Sequence, residues 1–399
     1  MGLRSYEFLD AARFCRRVAS PGLLDPAAPT RWIAYPAGET VHPPPRYVFD
    51  DDPLTAPGQV SAATIDLRRH VARHSETFIA TLPDATVEKF TRYPVPSNPF
   101  TVFVDDGVAL AESFHNRTSG EYLARLMGEC APVRCGDQET LVKVTEDGAP
   151  DLTVDAPCLL LASRFVHHNY YHWIFEGLTR FWCREHLADF DKMILATSSA
   201  DFRPFHTGVL ERMGLSNPIL PLNHRLTRFR KLYFPSFLDP GTVTARQVEW
   251  LRRTLFGVFP NADRGGPRRR IYVSRQDAKA RIVSNETALM EKLAPLGFEL
   301  IVPGRMSLEE QVSAFAAAEI VVAPHGAANA SIAFCRPGTP FVELVPASNA
   351  SALYWMQANV GGLPYGRVIC REDRPTVSMV ADGDRVAEMT AQALRDRHG

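Results

Sequence analysis

The chain lacks an excess of charge of either sign: Lys plus Arg is 44 against 45 for Asp plus Glu, and the formal net charge is -1. That balance excludes the broad electrostatic footprint of a nucleic-acid-binding protein. No run of 18 apolar residues occurs, so no transmembrane helix is expected. The stretch Met1 to Val18 carries Arg4, Arg13, Arg16 and Arg17 without an apolar core, unlike a signal peptide. The expectation is a cytoplasmic chain that meets a membrane at most peripherally, at its inner face. The seven cysteines are odd in number and show no CxxC spacing, which disfavours a structural zinc site and favours reduced thiols. A glycine fingerprint for a dinucleotide is also missing, since neither Gly265-Gly266 nor Gly361-Gly362 has the GxGxxG spacing behind a strand. A dinucleotide oxidoreductase is correspondingly disfavoured.

What is present is an ordinary globular composition, 45% hydrophobic and 22% charged, in 399 residues. That length predicts two domains. The basic residues are nearly all arginine, the side chain suited to planar recognition of phosphate or carboxylate, although genome composition gives the same bias. Residues 1 to about 60 are proline-rich, which predicts one short helix around Tyr6 to Val18 followed by loops and edge strands. Strands are predicted at Phe100 to Val104, Cys158 to Ala162, Met193 to Ala196 and Lys231 to Phe234. Helices are predicted from Asn169 to about Leu187, with Asn169 as N-cap, and over Arg203 to Met213. A hinge is placed between Pro235 and Gly266, where helix Ala245 to Phe256 precedes the loose tract Pro260 to Pro267.

Beyond the hinge the alternation is plainer. Strands at Arg270 to Ser274, Phe298 to Val302, Glu319 to Ala323 and Phe341 to Val345 alternate with helices over Asn285 to Ala294, Ser307 to Ala317, Asn329 to Phe334 and Ala350 to Val360. This spacing predicts a parallel doubly wound sheet. The domain reading is therefore an N-terminal domain over 1–240, a C-terminal domain over 241–375, and a helix over 376–399 packing across the junction.

Two clusters carry chemistry. Ile320-Val321-Val322-Ala323-Pro324-His325-Gly326-Ala327-Ala328-Asn329 reads as a buried strand, a Pro-His-Gly turn and a helix start. Free backbone N–H groups and the helix dipole at such a turn favour an anion, above all phosphate. His325 and Asn329 can add donors, although an ordinary turn around a satisfied histidine has the same sequence. Ligands gather at the carboxyl ends of parallel strands. Ser274 and Arg275 follow one such end and Glu343 another, with Arg281, Asn285 and Glu286 just beyond the first. Arg275 can clamp a diphosphate, and Glu343 can accept the hydroxyls of a ribose. The bland alternatives are an Arg275–Asp277 pair and a helix-capping Glu343.

The second cluster is His167-His168-Asn169-Tyr170-Tyr171-His172-Trp173-Ile174-Phe175-Glu176. On a helix, His168, His172 and Glu176 fall on one face. A carboxylate beside an imidazole suits a general base. The competing reading is an exposed ladder with Glu176 paired to Arg180. Metal binding by His168 and His172 lacks a third ligand.

Together the clusters resemble glycosyltransferase family 61. The resemblance is carried by Asn169-Tyr170-Tyr171-His172-Trp173 with Glu176, by Tyr272-Val273-Ser274-Arg275 with Arg281 and Asn285-Glu286, and by Gln311, Ala318, His325-Gly326-Ala327, Asn329, Glu343 and Pro346. It spans about 160 to 370 and leaves the first hundred or so residues uncovered. Many eukaryotic members have Asp where this chain has Glu176.

The resemblance implies an α/β GT-B architecture, two Rossmann-like doubly wound domains facing a cleft, and an inverting transfer with no required metal or cofactor. It implies Glu176 and His172 as the catalytic pair. Arg275, Ser274, Arg281, His325, Gly326, Ala327, Asn329 and Glu343 would bind the donor, and His168, Asn169 and Tyr171 would lie on the acceptor side. The implied partners are a nucleotide-sugar, foremost a UDP-sugar, and a hydroxyl of a glycan or glycolipid acceptor. The chain resembles soluble bacterial members linked to capsule or other surface polysaccharide assembly. A nucleotide- or phosphosugar-binding module without transferase activity is the alternative.

Overall fold

The structure, a computed structural model, describes residues 3–57, 64–89, 100–105, 108–110, 112, 130–135, 138–146, 148–162, 166–199, 201–238, 243–263, 266–348, 351–373 and 378–398. It is mixed α/β with parallel sheets, divided into two compact units. The first comprises Met1–Gly38, His74–Arg203 and Gly214–Gly241, and the second Glu39–Arg73, Pro204–Met213 and Thr242–Gly399. The boundary expected at 240 lies outside the described residues.

The first unit is built on a 13-stranded mixed sheet. Leu226–Pro235, Cys158–Leu160, Ile194–Thr197 and Ile219–Pro221 are neighbours in parallel register. Leu226–Pro235 then pairs antiparallel with the long strand Thr77–Lys89, which in turn pairs antiparallel with Phe100–Asp105. The βαβ half expected here is thus the parallel edge of a larger, largely antiparallel sheet. Cys158, Leu159 and Leu160 are fully buried, as strands covered on both faces must be.

Two helix expectations in this unit need correction. The Tyr6 to Val18 helix is instead a strand Leu3–Leu9, one helical turn Ala11–Phe14 and a strand Arg16–Val18. Leu3–Leu9 pairs with Gln138–Glu146 and Val108–Leu110, partners so distant that local periodicity carries no trace of them. The long helix from Asn169 is a broken one: an α turn Tyr170–His172, a π turn Trp173–Gly177, and 3₁₀ turns Leu178–His186.

The second unit holds a six-stranded sheet in the order Phe298–Ile301, Arg269–Val273, Ala318–Pro324, Phe341–Pro346, Tyr365–Asp373, Ser378–Val380. The first five strands are mutually parallel and the last is antiparallel. Counted in chain order these five run 2-1-3-4-5, so the winding reverses between Arg269–Val273 and Ala318–Pro324. A doubly wound sheet opens a crevice at the carboxyl ends of the two strands flanking such a reversal. Helix Leu308–Ala316 starts at a capping box in which Ser307 Oγ accepts from the Glu310 N–H and the Glu310 carboxylate accepts from the Ser307 N–H. The final helix, Gly383–His398, lies against helix Glu286–Leu293 and strands Phe341–Pro346 and Tyr365–Asp373.

The proline-rich segment 39–73 belongs to this second unit. Arg367 and Asp52 form an ion pair buried on both sides, with Nε donating to Oδ2 at 2.7 Å. Trp355 Nε1 donates to the Pro43 carbonyl at 3.1 Å, and the Arg46 and Tyr47 N–H groups donate to Tyr365 O. Gly366 permits that approach, because a Cβ there would lie 2.9 Å from the Tyr47 Cβ and from the Met389 sulfur. No described helix is long and apolar enough to cross a membrane.

Candidate functional site

In the first unit, Asn169 caps the broken helix: its Oδ1 accepts from the Tyr171 N–H at 2.9 Å and the His172 N–H at 3.4 Å. Its backbone is extended, so His168 precedes the helix and does not share a face with His172 and Glu176. The exposed His168 is therefore not part of a three-residue row. The pair that remains is close: His172 Nδ1 and Glu176 Oε2 are 2.7 Å apart, both half-buried. Tyr171 stacks on Phe175 with ring centroids 5.1 Å apart and meets the His172 ring edge-on at 5.6 Å, so its face borders the pair.

Glu176 sits in the π turn, the kind of irregularity that often marks a working site in a helix. The following Gly177 makes room for the Trp173 ring, from which a Cβ there would lie 2.7 Å away. Arg180 has a different task from the competing ladder reading. It is fully buried, and its guanidinium donates to the carbonyls of Ala162 at 2.8 Å and Pro235 at 2.7 Å, beside the rings of Phe237 and Phe234. These carbonyls lie at the ends of the two parallel strands, so Arg180 ties the broken helix to the sheet. Burial brings its pKa down to about 9.

In the second unit, Arg275 follows strand Arg269–Val273 and His325-Gly326 follows strand Ala318–Pro324, the two strands that flank the winding reversal. The Arg275 guanidinium lies against the Gly326 backbone: a Cβ on Gly326 would fall 1.6 Å from Nη1. Nη2 donates to the Ala280 carbonyl at 3.1 Å, while Nε is buried with no hydrogen-bond partner. Among the described residues no carboxylate lies within ion-pair distance of it, so the alternative Arg275–Asp277 pair is not formed. Burial lowers its pKa, and the nearby Arg281 lowers it further. Arg281 itself adopts φ 57°, a left-handed conformation that is strained for arginine. The Ala280 carbonyl that Arg275 holds immediately precedes it.

Gly326 begins the 3₁₀ turns Ala327–Phe334, whose first N–H groups face away from any intrahelical acceptor. His325 is buried, with Nδ1 2.6 Å from Glu343 Oε1 and its ring 5.1 Å from that of Tyr354. The other Glu343 oxygen accepts from the Tyr365 hydroxyl at 2.7 Å. Glu343 is fully buried and engaged at both oxygens, so it braces His325 instead of presenting a free carboxylate to a ribose.

Ser274 and the Asn329 amide nitrogen are also engaged, while Asn329 Oδ1 is buried with no hydrogen-bond partner. Asn329 Nδ2 donates to the Pro324 carbonyl at 3.1 Å, bracing the turn. Ser274 Oγ donates to Glu286 at 2.9 Å and accepts from the Gln276 N–H at 3.2 Å. The residues left facing the crevice ends are Arg275, Arg281, His325 and the N–H groups after Gly326. Sequence reasoning missed Tyr354 and Tyr365, which no local motif distinguishes from core tyrosines. Burial raises the pKa of both, with Glu343 adding to it, so both stay neutral. Among the described residues no three His, Cys, Asp or Glu side chains converge as metal ligands.

The five described free cysteines, Cys15, Cys158, Cys183, Cys335 and Cys370, are all buried, and burial pushes each thiol up to about 12.

No curated protein matches this chain. Among solved structures it is similar to the dodecameric iron-containing heptosyltransferase TibC in complex with ADP-D-beta-D-heptose, at 11% identity and a TM-score of 0.33, over 81% of this chain and 94% of that one. The iron-containing dodecameric glycosyltransferase TibC from enterotoxigenic E. coli H10407 gives 10% identity and a TM-score of 0.27, over 76% and 80% of the two chains. Similarity at these scores carries no argument. The family comparison is of another kind, because its match contains Tyr171, His172, Glu176, Ser274, Arg275, Arg281 and the His325 to Asn329 turn. Residues 170–342, somewhat under half of the chain, match the family model glycosyltransferase 61.

Proposed function

We propose that this chain is a metal-independent, inverting glycosyltransferase of GT-B architecture. It moves a sugar from a nucleoside-diphosphate donor, foremost a UDP-sugar, to a hydroxyl of a glycan or glycolipid in surface polysaccharide assembly. The observation that carries the reading is Arg275: a largely desolvated guanidinium without a carboxylate, laid on the Gly326 backbone where the second sheet reverses its winding. A desolvated cation without a counter-charge is costly unless a ligand supplies the anion. Arg275, Arg281 and the N–H groups after Gly326, with His325 braced by Glu343 beside them, form a set suited to a diphosphate that gains charge as its bond to the sugar breaks.

In the first unit Glu176, held by His172, takes the proton from the acceptor hydroxyl. The freed oxygen attacks the anomeric carbon on the face opposite the diphosphate, so one displacement inverts the centre. A pure binding module has no use for such a base.

Calorimetric titration with UDP, GDP, CMP and NAD, each with and without EDTA, tests this. Micromolar binding of one nucleoside phosphate that survives EDTA is expected. Binding of NAD alone, or binding only with a divalent metal, would sink the reading.

A further inference from the structure

Glu343 is fully buried, and its partners are His325 Nδ1 at 2.6 Å and the Tyr365 hydroxyl at 2.7 Å. A carboxylate only accepts, so both partners must donate, and His325 carries a proton on Nδ1. In the neutral ring Nε2 is then a bare lone pair. A lone pair repels a phosphate oxygen and offers it no hydrogen bond. Among the described residues Nε2 has no hydrogen-bond partner, and it is not sealed from solvent. It becomes a donor only when the ring takes its second proton.

We propose that the nucleoside diphosphate binds together with one proton, which the protein takes up at His325 Nε2. The inference rests on the donor-site reading above and adds proton linkage to it. The groups that face the ring from each packed element are consistent with it. Strand Phe341–Pro346 contributes the Glu343 carboxylate, helix Leu353–Val360 the Tyr354 hydroxyl, and strand Tyr365–Asp373 the Tyr365 hydroxyl. Arg275 lies on the adjoining Gly326, and Arg281 is near it. Both tyrosines are neutral, and the Arg367–Asp52 pair behind Tyr365 is internally balanced. Among the described residues Glu343 is therefore the only negative charge beside the ring, and a second proton on His325 cancels it where the phosphate arrives.

Glu343 and Tyr365 are positioning residues in this scheme. They fix which nitrogen is left for the ligand. During transfer the anomeric C–O bond breaks with its electron pair going to the diphosphate, and Nε2–H hydrogen-bonds to that oxygen. The ring returns its proton to solvent when the diphosphate leaves, while the acceptor proton goes to Glu176.

The test is titration of the full chain with UDP in buffers of different ionisation enthalpy, from pH 6 to pH 9. The slope of observed heat against buffer enthalpy counts protons. We expect net proton uptake on UDP binding. His325→Gln, whose amide is a donor without titrating, should bind with no uptake. Glu343→Gln frees the neutral ring to carry its proton on Nε2 and should lower the uptake while binding persists. The ¹⁵N spectrum of histidine-labelled protein should show the Nδ1–H form in the wild type and lose it in Glu343→Gln. UDP binding without proton uptake at any pH overturns the inference and leaves the donor site standing. Uptake that survives His325→Gln belongs to the terminal phosphate of UDP and also overturns it. If no nucleotide binds, the donor-site reading itself falls. Should Glu343→Gln not fold, the His325→Gln comparison decides alone.

Discussion

Gly326→Ala is the sharpest probe of the donor site. Gly326 has φ 174° and ψ 168°, extended backbone that alanine adopts without strain. The methyl group would nevertheless fall 1.6 Å from Arg275 Nη1 and 2.5 Å from its Cζ. The guanidinium must withdraw by about 2 Å to restore van der Waals contact. For a phosphate about 4 Å away, moving to about 6 Å at an effective dielectric of ~20 loses roughly 1.4 kcal/mol. The charge-assisted hydrogen bond lost with it contributes about 1.5–3 kcal/mol. Together these predict a loss of nucleoside diphosphate affinity of about 100-fold or more.

The moving atoms are the far end of a flexible side chain, so the melting temperature should stay within a few degrees of wild type. The decisive assay is a double-mutant cycle by calorimetry. In an Arg275→Ala background, Gly326→Ala should cost nothing further, because its only effect is to displace that guanidinium. Wild-type affinity in the single variant, or additive losses in the double one, would refute the argument that Arg275 binds the ligand from this position.

Further outcomes follow from other parts of the molecule. Glu176→Gln should leave nucleotide binding intact and reduce sugar transfer about 10²–10⁴-fold, the usual range for loss of a general base, in a radiolabelled-sugar transfer assay; transfer at wild-type rate would move the base elsewhere. His42 is buried against His70 and Trp355 with neither ring nitrogen hydrogen-bonded, and burial brings its pKa from 6.5 down to about 4. The unfolded chain therefore takes up this proton first. Stability present above pH 6.5 should be lost as pH falls toward 4, by up to about 3 kcal/mol, and His42→Phe should flatten that part of a denaturation–pH series. Asp52→Ala removes the carboxylate paired with the buried Arg367 charge and should cost about 3–5 kcal/mol by urea denaturation, far more than removal of the exposed Arg73–Glu39 pair. Gly366→Ala, which crowds Tyr47 and Met389, should lower the melting temperature without altering nucleotide affinity at temperatures where the chain is folded.

The sequence by itself determined the elements whose signal is local. Buried β-branched runs such as Ile320 to Ala323, a glycine turn behind them and helices between them read correctly as a parallel sheet, because each depends on side chains within a few residues. The same holds for Asn169 as a cap and for the closeness of His172 and Glu176. Local signals also located the two clusters that the family match covers.

Tertiary structure decided how those residues are used. Ser274, Asn329 and Glu343 look like ligand contacts in the sequence, but each is buried and hydrogen-bonded within the fold: Ser274 to Glu286, Asn329 Nδ2 to the Pro324 carbonyl, and Glu343 to His325 and Tyr365. Leu3–Leu9 is a strand because residues more than a hundred positions away pair with it, and segment 39–73 joins the second unit through Asp52 and Pro43. The winding reversal that brings Arg275 beside Gly326 is a property of strand order, and strand order arises from non-local pairing that no window of sequence contains.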